Sequence, residues 1–206
     1  MKISHFPVRF SRRMITVTAA AGAATVLGVT ATVAVASGAP ARAHGFSFRL
    51  VPSAGISSCL PHARGNVTIT PQGENDKMVV HVAGLPKNSE FDLFVIQVPD
   101  KPFGVAWYQS DIDTGRNGTG SVTVRGIFDS ETFSVSPGTN PTFAPTHQFH
   151  LGLWFNNPNT PFKLGCEPGA TTPTVTPFNG EQHAGIQVLN TGQFPDNAGP
   201  LKHVHR

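Results

Sequence analysis

The chain has 206 residues, with 15 Lys or Arg and 12 Asp or Glu, and a formal charge of +3. A basic chain suggests nucleic acid or an anionic membrane as a partner. Every acidic residue follows residue 43, however, and five basic residues precede it, which leaves 10 basic and 12 acidic residues after that point, a charge of −2. The basic character thus belongs to the N-terminal segment, and we expect no nucleic-acid partner.

Residues 1–43 have the three zones of a secretory signal peptide: a positively charged start, a weakly apolar middle and a small-residue exit ending in Ala41-Arg42-Ala43. A transmembrane helix of about 20 residues is the competing interpretation. The many Gly, Thr and Ala residues favour a cleaved signal, so we expect no membrane span in the mature chain. Cleavage after Ala36 is an alternative that would leave His44 internal.

Export by the twin-arginine route is indicated by Arg12 and Arg13, which lie in the segment Ser11–Ile15 and resemble the motif of that route. Adjacent arginines also occur in general secretory signals, so both routes stay open. The predicted location is extracellular or the cell envelope. The predicted organisation is a signal peptide over 1–43, one domain over 44–201 and a flexible tail over 202–206.

The mature chain alternates short runs rich in Val, Ile, Phe and Thr with Gly, Pro and Asn, and shows no amphipathic helix. This pattern predicts nine strands and an all-β fold, a single Ig-like or Greek-key β-sandwich of eight or nine strands. The predicted strands are Phe46–Val51, Asn66–Thr70, Met78–Ala83, Phe91–Val98, Val105–Ile112, Gly120–Phe128, Thr132–Val135, His147–Phe155 and Gly185–Asn190.

Two of these strands have informative patterns. The run from Phe91 to Ile96 is apolar on nearly both faces, which predicts a central strand. In the run that ends at Phe155, alternation predicts that one set of side chains is core and that the set containing His150 and Trp154 points away. The turn Thr114–Gly118 predicts a hairpin between its flanking strands, since Asn-Gly favours positive φ.

Two long stretches without periodicity, Ser136–Thr146 and Asn156–Gln182, are predicted to be loops. The second contains Cys166, and Cys59 is the only other cysteine. A pair of cysteines in an exported chain predicts a disulfide. It would close a loop of about 100 residues and stabilise the fold by about 4–5 kcal/mol in the chain-entropy model.

Histidines are the candidate metal ligands. If cleavage follows Ala43, His44 becomes the N-terminal residue, whose amino group and imidazole together suit copper, as in secreted copper monooxygenases. The candidate partner histidines are His62, His81, His147, His150 and His183. Residues three apart on a strand point to opposite faces, so His147 and His150 are not expected to share a metal. No cofactor is expected beyond this copper hypothesis.

Aromatic and acidic side chains supply the other candidate site. Trp107 and Trp154 are candidates for stacking on a sugar ring, although burial at the edge of the core is the simpler interpretation. Asp111 and Asp113 share a strand face and could bind a ligand or serve glycoside hydrolysis. Their place beside a turn is the simpler explanation, and the calcium-loop pattern fails at its third and twelfth positions.

The chain resembles a group of uncharacterised secreted proteins of high-GC Gram-positive (actinobacterial) bacteria. The stretches that carry this resemblance are GLPKNSEFDLFV (84–95), WYQSDIDT (107–114), HQFHLGLWFNNP (147–158) and FNGEQHAGIQVLNT (178–191). The resemblance implies export and an all-β fold and names no activity.

No nucleophile motif and no phosphate-binding loop occurs in the sequence. We therefore expect a secreted, non-enzymatic binding module with a protein or glycan partner. A copper protein using His44 and a carbohydrate-binding module are the alternatives.

Overall fold

The computed structural model of the chain describes residues 45–128, 133–136, 142–145, 147–178 and 181–204, which all belong to the compact unit Ala41–Arg206. The strands are β1 (Phe46–Pro52), β2 (Arg64–Gln72), β3 (Asn75–Ala83), β4 (Glu90–Ile96), β5 (Ala106–Asp113), β6 (Gly120–Gly126), β7 (Phe133–Ser136), β8 (Thr142–Pro145), β9 (His150–Phe155), β10 (Thr176–Phe178), β11 (Glu181–Ala184) and β12 (Gln187–Asn190). The helices are α1 (Ile56–Cys59), α2 (Asn159–Lys163) and a 3-10 helix, Pro200–His203.

Eight strands form one antiparallel sheet in the order β5-β4-β9-β12-β1-β2-β3-β6. Strand β1 belongs to both halves of this sheet, because Phe46–Leu50 pairs with β2 and the following Val51 and Pro52 pair with β12. The sheet thereby folds over on itself, and side chains from both halves meet in one apolar core. The predicted all-β sandwich is confirmed.

Strands β2 and β3 show the alternation that builds this core. Val67 and Ile69 of β2 are fully buried, as are Met78 and Val80 of β3, while the residues between them are more exposed. A two-residue turn at Gly73, which has a φ of 63°, joins the two strands. Positive φ is readily adopted by glycine, so the turn residue fixes the register that places both apolar sets inward.

Strands β4 and β9 are buried on both faces, and the predicted central character of β4 is confirmed. Their inner faces contribute Leu93 and Leu153 to the main core. Their outer faces contribute Phe94 and Trp154 to a second apolar cluster. The second half of the sheet is thus covered on both sides, so side chains on the outer face of β9 do not reach solvent.

The disulfide between Cys59 and Cys166 is present and joins positions 107 residues apart in sequence, as predicted. It connects the end of α1 to the residues that follow α2. The predicted long loops contain more regular structure than expected, because β8, α2 and β10 lie within them and β11 begins in the second. Strands of three or four residues that contain Pro leave little local signal.

The prediction of a flexible tail is wrong for residues 202–204, and residues 205–206 lie outside the described part. Lys202 and His203 belong to the 3-10 helix, and Val204 is buried beside Leu201 in the main core. The signal-peptide prediction for 1–43 also lies outside the described residues. Among the residues that are described, no helix is long and apolar enough to cross a membrane.

Candidate functional site

The two terminal strands of the large sheet, β5 and β6, leave an open seam in the sandwich. They are joined by the predicted turn, in which the Gly115 amide donates to the Thr119 carbonyl at 2.9 Å and Gly118 adopts a φ of 69°. Beyond the turn, the described residues of β5 and β6 form no ladder with each other. The predicted turn is therefore present, but the predicted pairing of the two strands that flank it is wrong. We call the space between these two strands the seam cleft.

A bulge in β5 determines which aromatic side chain faces the seam cleft. Leu93 of β4 pairs with Ser110, but the next residue, Phe94, pairs with Tyr108. Gln109 is therefore the additional residue, and a single extra residue exchanges the faces of the side chains beyond it. As a result Tyr108 lies on the outer face beside Phe94, and Trp107 lies on the inner face opposite Val95.

The seam cleft has a volume of about 440 Å³ and is lined by apolar and polar side chains from both edges of the sheet. Trp107 from β5 is 55% exposed, and Ile127, just after β6, is 59% exposed. Both are large apolar side chains at the open edge of the core. The lining of the cleft includes Val95, Trp107, Gln109, Arg125, Ile127 and Gln148.

Gln148 provides a buried polar group in the wall of the seam cleft. It is only 5% exposed, and its Nε2 has no hydrogen-bond partner among the described residues. The preceding residue, His147, has a φ of 51° and accepts a hydrogen bond from the Phe149 amide, which turns the chain just before β9. A buried amide donor without a partner costs about 1–3 kcal/mol, and this nitrogen is covered by the surrounding protein rather than open to the cleft.

The other polar groups of the seam cleft are held by neighbours. Gln109 Nε2 donates to the Trp107 carbonyl at 3.2 Å, and Arg125 Nη1 donates to Gln72 Oε1 at 2.6 Å. Gln72 lies in β2, on the far side of β3 from β6, so this contact directs the Arg125 guanidinium away from the seam. The described lining includes no carboxylate. The cleft is thus an apolar slot with an exposed indole at its opening, suited to a ligand that has an apolar face.

Trp154 does not contribute to any binding surface, and the prediction of it as a stacking platform is wrong. Its side chain is fully buried. Its ring packs edge-to-face against Phe94 at 5.4 Å, Phe103 at 4.9 Å and Phe178 at 5.0 Å between centroids. Residues that precede β5 and residues of β10 therefore form the cover over this face of β9.

His150 is a structural residue rather than a metal ligand, so that prediction is wrong. It is fully buried, and its Nδ1 lies 2.8 Å from Thr191 Oγ1. Its Nε2 donates toward the carbonyls of Pro195 and Asp196 at 3.2 and 3.1 Å. Burial lowers the pKa of His150, against the opposing effect of the two carbonyl contacts. Both ring nitrogens are occupied by the segment that follows β12.

The structure does not bring the remaining candidate histidines together. His62 and His147 are exposed, and His147 stacks beside Phe149 with 5.4 Å between ring centroids. His44 lies outside the described residues, so the copper hypothesis stays a prediction. In the described part of the chain, no group of three His, Cys, Asp or Glu side chains is arranged to hold a metal ion.

Asp111 and Asp113 lie in an acidic patch on the outer face of β4 and β5. The register places Asp111 opposite Asp92 and Asp113 opposite Glu90. Tyr108 Oη donates to Asp111 Oδ1 at 2.8 Å. Burial, followed by this hydrogen bond and the neighbouring negative charges, raises the pKa of Tyr108 to about 12. Trp107 and Tyr108 face opposite ways, so the acidic patch and the seam cleft are separate surfaces.

A larger groove of about 690 Å³ lies beside the disulfide, where Lys101, Glu167 and Gln187 line it. Two of its polar contacts are internal to the protein: Ser53 Oγ donates to Gln187 Oε1 at 2.8 Å, and Gln187 Nε2 donates to the Pro99 carbonyl at 3.1 Å. This groove is larger than the seam cleft but contains no exposed aromatic platform. We therefore take the seam cleft as the candidate site.

Compared with known proteins, the chain matches no protein-family model and no curated protein sequence.

Proposed function

We propose that this protein is a non-catalytic binding module that acts outside the cytoplasm, in the cell envelope or the extracellular space, and holds its ligand in the seam cleft. The observation that carries the proposal is an exposed indole, Trp107, that shares one cleft with an exposed aliphatic side chain, Ile127. Small-ligand sites generally combine apolar walls with a few placed polar groups.

The exposure of these two side chains supports a binding role. Without a ligand both large apolar groups stay in water, and an apolar ligand face would remove that water from Trp107 and Ile127. A single exposed apolar side chain is compatible with an ordinary surface, and two in one cleft favour a ligand site.

Export is the second part of the proposal. The predicted signal peptide over residues 1–43 supports it, as does the disulfide between Cys59 and Cys166, because such bonds persist in oxidising compartments. The resemblance to secreted actinobacterial proteins is consistent with this location.

Tryptophan fluorescence tests the binding role directly, because the chain has two Trp residues and only Trp107 is exposed. We would screen soluble saccharides, short peptides, nucleosides and fatty acids for compounds that protect the mature protein from acrylamide quenching. We expect protection of Trp107 by members of at least one class. The proposal fails if no compound of any class protects Trp107.

A further inference from the structure

We infer that a second binding site, on the outer face of β1, β2 and β3, takes the phosphate group of a small soluble ligand. The site is a pocket of about 400 Å³ whose polar side chains are Arg49, Arg64, Asn66 and His81. We call it the basic pocket. It shares no lining residue with the seam cleft, so this inference goes beyond the proposed function and does not depend on it.

The register of three strands brings these side chains together. Arg49 of β1 pairs with Asn66 of β2, which in turn pairs with His81 of β3. Side chains directly opposite each other on antiparallel strands have Cβ atoms about 4.5–5.5 Å apart. Arg64 lies two residues before Asn66 on the same face, diagonally from Arg49 at a distance of about 7–8 Å. Asn66 is therefore surrounded on three sides by Arg49, Arg64 and His81.

The donors of the basic pocket are open to solvent, since all four of its polar side chains are exposed. Within the described residues the Arg49 side chain forms no hydrogen bond and no ion pair. Arg64 Nη1 donates to the His62 carbonyl at 3.0 Å. A guanidinium has five N–H donors, and both arginines line the pocket. Both can therefore donate to a ligand without giving up a buried contact.

No carboxylate offsets these charges nearby. Strands β1, β2, β3 and β6 contain four basic residues, and their single acidic residue, Asp76, is buried. Strands β4 and β5, in contrast, contain four acidic residues and no Lys or Arg. Arg49 and Arg64 are neighbouring like charges, which repel each other. An anion bound between them would replace this repulsion with attraction.

The arrangement of the donors favours a phosphate over a carboxylate. A guanidinium binds either anion through two parallel hydrogen bonds. A carboxylate has two oxygens, which one guanidinium satisfies. A phosphate monoester carries three strong acceptor oxygens and a charge of about −1.5 to −2 at neutral pH. Donors on three sides of Asn66 therefore match the three oxygens of a phosphate better than the two of a carboxylate.

A membrane surface is the other source of phosphate groups. Stable attachment to a membrane generally combines basic residues with an apolar anchor. The large apolar side chains that are exposed in the described part of the chain are Val105, Trp107, Tyr108, Ile127, Leu164 and Val175. None of them belongs to β1, β2 or β3. The basic pocket therefore has no apolar anchor beside it, which favours a soluble ligand.

Calorimetry on the mature protein, with its disulfide intact, tests the inference. The ligands are inorganic phosphate, glycerol 3-phosphate and acetate in Tris buffer, with sodium chloride added to keep the ionic strength constant. We expect both phosphates to bind and acetate to bind at least tenfold more weakly. Sedimentation with vesicles of phosphatidylglycerol and phosphatidylcholine should leave the protein in solution.

Four variants assign the binding to the basic pocket. R49Q and R64Q should each weaken the binding of glycerol 3-phosphate by tenfold or more. R49K keeps the charge but loses the two parallel hydrogen bonds, so it should weaken binding severalfold. R116Q is the matched control, because it removes the same charge from an exposed position in the turn Thr114–Gly118, and should leave the affinity within twofold of wild type. The changed side chains are all exposed, and melting temperatures would verify that each variant is folded.

Three results would overturn the inference. The ligand class is wrong if neither phosphate binds or if acetate binds as tightly as they do. The position is wrong if R116Q weakens binding as much as R49Q does, because binding would then follow net charge. The soluble source is wrong if the protein sediments with phosphatidylglycerol vesicles through Arg49 while glycerol 3-phosphate does not bind. None of these results bears on the protection of Trp107, so the proposed function of the seam cleft is tested separately.

Discussion

Trp107 and Trp154 lie on opposite faces of the same half of the sheet, one 55% exposed at the seam and the other fully buried. The inner-face position of Trp107 follows from its pairing with Val95, and the outer-face position of Trp154 from its pairing with Asp92. Since these are the two Trp residues of the chain, each face of this half of the sheet has its own fluorescent reporter.

The two reporters should be separable by collisional quenching. In W107F, we expect the remaining emission to be shifted to shorter wavelength and to be almost insensitive to acrylamide, because Trp154 is enclosed by Phe94, Phe103 and Phe178. Steady-state fluorescence with acrylamide titration measures this. The conservative variant W154F serves as the control and should keep the quenchable emission. Strong quenching of W107F would contradict the burial of Trp154.

Truncation of the two indoles should affect stability very differently. We expect W154A to lower the free energy of unfolding by about 3–5 kcal/mol, as for other large-to-small changes in a core. W107A should change it by at most about 0.5 kcal/mol, as for a typical surface substitution. Urea unfolding followed by circular dichroism provides both values. A loss in W107A comparable to that in W154A would show that Trp107 is part of the core.

His150 should make the fold sensitive to acid. Burial lowers its pKa below the ordinary value of 6.5, so below pH 6.5 the unfolded chain takes up a proton that the folded chain does not. The stability contribution is therefore fully present above pH 6.5 and is lost as the pH falls toward the folded-state pKa. The slope from this group is at most about 1.4 kcal/mol per pH unit.

Urea unfolding between pH 4.5 and 8 measures this dependence. H150Q should be less stable than the wild-type protein at pH 8. Its free energy of unfolding should also depend less steeply on pH just below pH 6.5. H62Q is the matched control, because His62 is exposed, and it should keep the wild-type profile. A wild-type slope in H150Q would mean that other groups cause the acid sensitivity.

Tyr108 is the single Tyr of the chain, so absorbance at 295 nm follows its ionisation without interference from another Tyr. Burial, the hydrogen bond to Asp111 and nearby carboxylates raise its pKa to about 12, and we expect little ionisation at pH 10.5. In D111N the midpoint should fall but stay above 10.0, since burial is the largest cause. D113N leaves the hydrogen bond between Tyr108 and Asp111 intact, so it should shift the midpoint less than D111N does. A wild-type midpoint near 10 would contradict the contact.

The disulfide should contribute strongly to stability. Its cysteines are 107 residues apart, for which the chain-entropy model gives about 4–5 kcal/mol. We expect the double variant C59A/C166A to be less stable than the oxidised protein by about this amount in urea unfolding. Addition of dithiothreitol should destabilise the wild-type protein and leave the double variant unchanged. Equal stability of the oxidised protein and the double variant would show that the disulfide does not stabilise the fold.

Much of the fold could be predicted because its main strands have local patterns. All nine predicted strands overlap strands of the structure, and the core set of β9 is confirmed. The three strands that were missed, β8, β10 and β11, are three or four residues long, and two of them contain Pro. A Pro in such a short run reads as a turn or loop, so nothing local distinguishes these strands.

The candidate site was only partly predictable. Trp107 was identified as a candidate from its residue type, but its orientation depends on the bulge at Gln109, and the register with β4 has no signature within the strand itself. Gln148 was missed because a single Gln near the start of a predicted strand suggests an exposed side chain. Trp154 and His150 were misassigned for the converse reason: their face is covered by segments distant in sequence, which alternation within β9 does not reveal.

Strand β1 has a consequence for how the protein opens. Within the described strands, β1 is the strand that makes the two halves of the sheet continuous. Its first part pairs with β2, and its last two residues pair with β12. Local separation of the halves would therefore expose its amides, whereas fraying at the seam would not. Hydrogen exchange at Leu50 and Val51 should approach the rate set by global unfolding, while edge amides of β5 and β6 exchange much faster.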